Sequence, residues 1–547
     1  MMREIPVLRL SVVTFLAFVG FFYFKSDTGP ANKMSPAVKF DVLTADLKTI
    51  EALLKNKQVT SRVLTATYLD QINKYDGYLH AMIQVAPVDL LMKRADQLDL
   101  ERESGTLRGP LHGVPVIIKD SFATHQDLGL STTAGSLALV TSRTRKSSRV
   151  VELLIAAGAI VIGKTNLSEF SNAKGSLMRS GWSAVGGQTM SAYVEKSMVD
   201  PDDGKDGHSN PSGSSSGSAV GVSAGYAPIS IGAETDGSLI CPAGRAALYT
   251  IKPSIGLVSQ DGIIPISSLF DSAGPMTKTV YDLAAVLDVI SERDGANSFT
   301  SSLGGRMEEF SVATLDPRIW MFPDELMKPV AGSKEQILHD IYNAYDIIKS
   351  KAKTFAPDVP LPTVDRFDLN GSNSKLVIMR ADTKTELAAY LEDLDKSDVR
   401  SIREIIEFNE RHADRELPDH HPKQDLLIEA DELLLSDKDH QKHVAHLRQV
   451  CRDDGIDFIL RKYGVDVIVG PADSSITSLA TGSGYPIAAM PLSYLSFNGR
   501  PIGLAALAGK NQDATLVKFL SAWESTFPPR KPPSSLIEIG SQRTIET

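Results

Sequence analysis

The stretch SSRVVELLIAAGAIVIGKTN, residues 147–166, narrows the possible folds of this 547-residue chain more than any other. Ser147 and Ser148 offer capping hydroxyls, apolar residues follow at helical spacing, Gly158 supplies a stop, and AIVIG reads as a strand. A helix that feeds directly into a buried strand is the unit of a parallel sheet, so the predicted class is α/β. The theme recurs on both sides. HGVPVIIKDSF (112–122) holds a β-branched run from Val114 to Ile118, bounded by Gly113 and Asp120, which is the pattern of a buried strand ending at Lys119. SAVGVSAGYAPISIGAETDGS (218–238) places a small-residue helix at about 218–224 ahead of a strand near 228–232.

Around this centre, residues 40–104 read as helices, with Thr60 and Ser61 as cap candidates. From about Gly304 to Lys442 long charged side chains dominate and strands are fewer, which predicts a helical insertion or lid. GVDVIVGPADSS (464–475) and GYPIAAMPLSYL (484–495) return to strand and turn chemistry, and DATLVKFLSAWES (513–525) is a closing amphipathic helix. One discontinuous domain over residues 40–532 is therefore expected, with 533–547 as a flexible tail.

A net charge of −10 argues against a nucleic-acid partner, because phosphate binding needs clustered Lys and Arg. Two cysteines, Cys241 and Cys451, exclude a disulfide framework or a Cys-rich metal site. At the N-terminus, Arg3 and Arg9 precede an apolar run from Leu10 to Phe24, so residues 1–30 are expected to be a signal peptide or short signal anchor. As a helix this run rises only about 22 Å, against the ~30 Å of a bilayer core, which favours the signal peptide. The expectation is a protein of the secretory pathway, secreted or membrane-anchored by this segment.

Two serine-bearing clusters carry the chemistry. SNPSGSSSGSAVG (209–221) leads straight into an apolar helix and contains no charge, which sets it apart from a flexible linker. Its Gly213–Gly217 string matches a nucleophile elbow formally, but no strand precedes it. GAETDGSLICPAG (232–244) puts Ser238 just past a strand, in a turn that can aim consecutive N–H groups at one point; an ordinary strand-to-loop turn fits it equally well. Cys241 lies in an apolar setting with no histidine to make a thiolate. A serine nucleophile needs a proton acceptor, and no histidine lies within either cluster. Lys119 can serve only when neutral, which burial of an amine with an ordinary pKa of about 10.4 would favour.

Read together, GPLHGVPVIIKD (109–120), GKTNLSEF (163–170), SGSSSGSAVGVSAG (212–225) and ETDGSLICPAGRAALYTIKPSIGLVS (234–259) resemble the amidase signature family, and most of all its peptide-amidase-like branch. The resemblance covers roughly residues 40–532. It implies a central mixed β-sheet covered on both faces by helices. It also implies a Ser-Ser-Lys triad made of Lys119, a cis-linked Ser214 and the nucleophile Ser238, with an oxyanion hole from the backbone N–H groups of Thr235, Asp236, Gly237 and Ser238. The implied reaction is hydrolysis of a carboxamide, such as a small-molecule amide or a peptide C-terminal amide, to carboxylate and ammonia through an acyl-enzyme, with no cofactor or metal. The rival readings are the ammonia-producing A-type component of an amidotransferase and a non-catalytic binding protein of the same fold. His112 lies in a motif but has no catalytic role in the family. Many members carry two glycines before the nucleophile and an arginine two residues after it; here those positions hold Asp236 and Ile240. Without that arginine a small acidic substrate loses its anion clamp, and Asp236 is expected to tune the hole or orient the substrate.

His440, His443 and His446 drift round a helix rather than facing one metal, and Asn370-Gly371-Ser372 is a sequon for glycosylation in a secreted chain.

Overall fold

In the computed structural model, which describes residues 40–536, eleven strands share one sheet. Their spatial order is Met82–Val85, Ile160–Thr165, Pro115–Lys119, Ile229–Glu234, Ser272–Thr277, Tyr249–Lys252, Ile487–Tyr494, Pro501–Ala508, Val467–Pro471, Ser311–Thr314 and Thr354–Ala356. Pro115–Lys119 runs parallel to both its neighbours, whereas Ile229–Glu234 meets Ser272–Thr277 antiparallel, so the sheet is mixed. The class is α/β, with helices on both faces.

Period-two alternation along the strands explains why both faces are covered. Val467 and Val469 enter one apolar core while Ile468 enters the other; Leu504 and Ala506 likewise part from Ala505 and Leu507. The first core receives the closing helix Asp513–Thr526 through Leu516, Phe519, Leu520 and Trp523, and the second receives Ile476–Ser483 through Ile476, Leu479 and Ala480. Each large apolar side chain taken from water contributes about 1.5–3 kcal/mol, so a two-faced sheet is the dominant stabilising element.

Local signals behave as the residues dictate. Thr60 caps Ser61–Leu79 by accepting from Val63 N at 3.1 Å, and Ser148 caps Arg149–Ala156 by accepting from Val151 N. Gly158 turns the chain at φ +86°, where a Cβ would lie 2.9 Å from His112 Cα. The small-residue helix spans Ser216–Ser223, two residues ahead of its expected start. Its lack of bulk lets it lie close to neighbouring backbone: a Cβ on Gly217 would sit 2.2 Å from Ala81 O.

The charged stretch 304–442 divides in two. Ser311–Thr314 and Thr354–Ala356 extend the sheet edge, a contribution its charged composition conceals. Helices Ser374–Asp393, Ile402–Arg411 and Asp425–Glu432 instead build a small separate core with Phe170 and Ile264. At the other end, Leu536 is buried in the main core.

The expectation of a secreted or membrane-anchored protein is corrected here. Among residues 40–536 no helix is long and apolar enough to cross a membrane. Surface helices such as Ile402–Arg411 carry an apolar stripe against a core, here Ile402, Ile405 and Ile406, with a polar face outside it, and the fully buried helices Ser216–Ser223 and Ile476–Ser483 have only eight residues each. The run Leu10–Phe24, on which the expectation rested, lies outside the described residues.

Candidate active site

Lys119 and the turn bearing Ser238 emerge from the same edge of the sheet, because their strands are adjacent and parallel. Ligand sites of α/β sheets form at this carboxyl edge. The helix Ser216–Ser223 is held beside it: Ser218 Oγ donates to Ile231 O at 3.2 Å and lies 2.7 Å from Thr165 Oγ1. Ser214, two residues before that helix, is thereby set between the other two groups. Lys119 Nζ lies 2.7 Å from Ser214 Oγ, which lies 2.9 Å from Ser238 Oγ. The Gly213–Ser214 peptide bond is cis.

Lys119 and Ser214 are fully buried and Ser238 is 4% exposed. Burial pushes the Lys119 amine down to about 7, against an upward pull from the carboxylates of Asp271 and Glu234. An amine so placed can accept a proton near neutral pH. Its remaining partner is Ala233 O at 3.1 Å, which fixes the direction of Nζ.

The turn Thr235–Ser238 is pinned from several sides. The Glu234 carboxylate accepts from Leu239 N at 2.7 Å and Ile240 N at 3.0 Å, folding the chain back behind the serine. Gly237 adopts φ +80°, and a Cβ there would meet Cys241 Sγ at 3.1 Å. Thr235 Oγ1 donates to Asp271 Oδ1 at 2.6 Å, Thr481 Oγ1 donates to Thr235 O at 2.8 Å, and Ser215 N donates to Ser238 O at 3.2 Å. Among the described residues no acceptor engages the N–H of Asp236, Gly237 or Ser238. Pinned, uncommitted donors beside a hydroxyl are the arrangement that holds an oxyanion.

A cavity of about 190 Å³ opens onto Ser238, Thr235 and Asp236. Away from these three the lining is apolar at Ile266, Leu376, Met379, Leu426 and Ala430 and polar at Ser171, Asn172, Arg380 and Thr383. Ser171–Ala173 reaches it because Phe170, Ser171 and Asn172 take left-handed φ values of 47°, 55° and 74°. A larger cleft of about 400 Å³ lies between residues 124–132 and 140–144, yet it contains none of Lys119, Ser214 and Ser238, so the smaller cavity is the functional candidate.

A family profile described as Amidase matches residues 63–317. A probable amidase of Arabidopsis thaliana is 30% identical over 92% of this chain and 94% of its own length. The chain belongs to the amidase signature family. A native peptide amidase from Stenotrophomonas maltophilia superposes with a TM-score of 0.77 at 32% identity, over 90% of this chain and 98% of that one. The A-type component of a glutamyl-tRNA(Gln) amidotransferase of Chloroflexus aurantiacus is 36% identical over 47% of this chain and 50% of its own length. The protein is thus an amidase, a hydrolase of amides.

Several residues of this amidase's site were not singled out from the sequence. Lys375, at the start of Ser374–Asp393, forms an ion pair with Asp236, and Ser478 Oγ donates to the same carboxylate oxygen at 2.7 Å. Asp271 holds Thr235 from a neighbouring strand end. Nothing local marks any of the three, because each acts on a partner at least 36 positions away along the chain. The other candidates are engaged elsewhere. Cys241 and Cys451 are free and buried, and burial pushes the Cys241 thiol well up, away from thiolate. His440 lies 2.7 Å from Asp382, His443 2.9 Å from Ser374, and His446 3.1 Å from the Arg366 carbonyl. Asn370 sits exposed in the tight turn between Asp368–Leu369 and Ser372–Asn373.

Proposed function

We propose that this amidase cleaves a carboxamide through a Ser238 acyl-enzyme, with Lys119 and Ser214 as its proton relay. The observation that carries the reading is the buried chain of contacts from Lys119 through Ser214 to Ser238. Ser238 Oγ attacks the amide carbon while its proton moves to Ser214 Oγ, whose own proton moves to Lys119 Nζ. The substrate oxygen becomes an anion facing the N–H groups of Thr235, Asp236, Gly237 and Ser238. Collapse breaks the C–N bond, and the relay run backwards returns the proton to the leaving nitrogen. Water then repeats the attack on the ester, releasing the carboxylate and restoring the Ser238 hydroxyl. No step calls for a metal or organic cofactor.

The apolar wall formed by Leu376, Met379 and Leu426 suits an amide with an apolar acyl side chain, such as the amidated end of a short peptide. Helices of the 304–442 stretch supply that wall, so this region acts as a lid that sets selectivity. A stand-alone hydrolase is favoured over an ammonia-supplying component of a larger assembly because the peptide amidase is 32% identical along 90% of the chain, whereas an A-type component that matches over a similar 88% is 26% identical.

The test is ammonia release from a panel of simple carboxamides, peptide amides, fatty amides and glutamine. Ser238→Ala should lower turnover of every accepted substrate by roughly a thousandfold or more. Undiminished turnover in that variant would remove Ser238 from the chemistry.

A further inference from the structure

Asp236 poses an electrostatic problem within the turn that receives the oxyanion. Its carboxylate lies at the cavity beside Ser238, and the N–H groups of Gly237 and Ser238 follow it directly in the chain. A bare anion there would oppose the negative charge that forms on the substrate. Two unit charges about 8 Å apart, at an effective dielectric constant near 20, repel enough to cost about thirtyfold in an equilibrium.

The fold surrounds that carboxylate with donors. Ser478 contributes a neutral hydroxyl, and Lys375 contributes an ammonium that also donates to Ser478 Oγ at 2.9 Å. Only the lysine cancels charge. The Asp236 and Lys375 side chains are 17% and 15% exposed, so water screens the pair little. Burial pushes the Asp236 carboxyl up, but Lys375 and the Ser478 and Thr477 hydroxyls outweigh it and hold the group below the usual carboxylate range. Lys375 does not itself line the cavity, whereas its helix neighbours Leu376 and Met379 do. Its amine is turned to the oxyanion turn, and away from a role in gripping substrate.

We propose that Lys375 is a positioning residue which neutralises and anchors Asp236, so that the turn Thr235–Ser238 favours the anionic intermediate over the neutral amide. The inference rests on the Ser238 reading above and adds a residue from the lid to it. It couples the two: the helix that shapes the substrate wall also sets the charge of the oxyanion turn.

The experiment uses the full chain with Lys375→Met, Asp236→Asn and the double variant. The probe is phenylboronic acid, which binds a reactive serine as a tetrahedral anion, and it is compared with the KM of an accepted neutral amide. Lys375→Met should weaken phenylboronate by about thirtyfold while KM moves less than about threefold, and adding Asp236→Asn should restore binding to within about fivefold of wild type. A purely structural lysine would shift KM and probe together and lower the Tm without recovery in the double variant, and that outcome overturns the proposal. Unchanged phenylboronate binding in Lys375→Met also overturns it, provided that Ser238→Ala abolishes binding. If Ser238→Ala binds the probe as wild type does, the Ser238 reading and this inference fall together. Should Lys375→Met not fold, Lys375→Gln, which keeps a donor but removes the charge, is expected to give the same thirtyfold loss.

Discussion

Replacing Lys119 by methionine should abolish activity and make the protein more stable near neutral pH. The amine is fully buried, and its pKa falls from 10.5 to about 7. A lowered amine pKa means that the folded chain binds fewer protons than the unfolded chain between these two values. The stability cost is therefore absent above pH 10.5, grows as pH falls through the window, and is complete below about 7. At about 1.4 kcal/mol per pH unit, the interval amounts to about 5 kcal/mol, of which about 4 kcal/mol applies at pH 7 itself. Methionine fills similar volume without charge but gives up the contacts to Ser214 and Ala233 O, worth about 1 kcal/mol each. A net gain of about 2 kcal/mol at pH 7 follows, shrinking and then reversing toward pH 10.5. Thermal and urea unfolding at pH 7 and pH 10 read this directly, while wild-type kcat/KM should rise tenfold per pH unit below about 7 and level off above. A variant less stable than wild type by the same amount at both pH values, together with a rate flat from pH 6 to 8, would refute the reasoning.

Two other perturbations test the surroundings. Asp271 lifts the Lys119 pKa, so Asp271→Asn should move the acid limb of the pH–rate profile below its wild-type midpoint, with Thr235 still held by the amide; an unmoved limb would show that Asp271 is not felt at Lys119. Asp473 bridges the buried guanidinium groups of Arg245 and Arg500, and Asp473→Ala should cost about 3–5 kcal/mol in urea unfolding by leaving both cations unpaired.

How far the site could be read from the sequence depends on distance along the chain. Pro115–Lys119 and Arg149–Thr165 were legible because burial, caps and a glycine stop act within a few residues of one another. Ser214 and Ser238 lay in clusters visible for their composition, although neither cluster alone distinguished a nucleophile from a turn. The short strands at 311–314 and 354–356 were hidden, since three or four residues within a charged stretch carry too little alternation to register. Lys375 was hidden for a different reason. It answers a charge 139 positions away, and a compensating residue leaves no periodic trace where it stands.

The same separation explains why burial serves chemistry here. A lysine at a strand end would ordinarily reach water and remain charged. Lys119 does not, because the small residues of Ser216–Ser223 let that helix close over the sheet edge while the turn at Ser238 covers it from the neighbouring strand. Each of those coverings is favourable on its own terms, through apolar packing on both faces of the sheet, and together they offset the cost of a buried amine. In the proposed mechanism that cost is what makes Lys119 a base: an amine left comfortable in solvent would hold its proton near neutral pH and could not take one from serine. The predicted stability of Lys119→Met and the predicted loss of its activity therefore have one physical cause, and neither should be observed without the other.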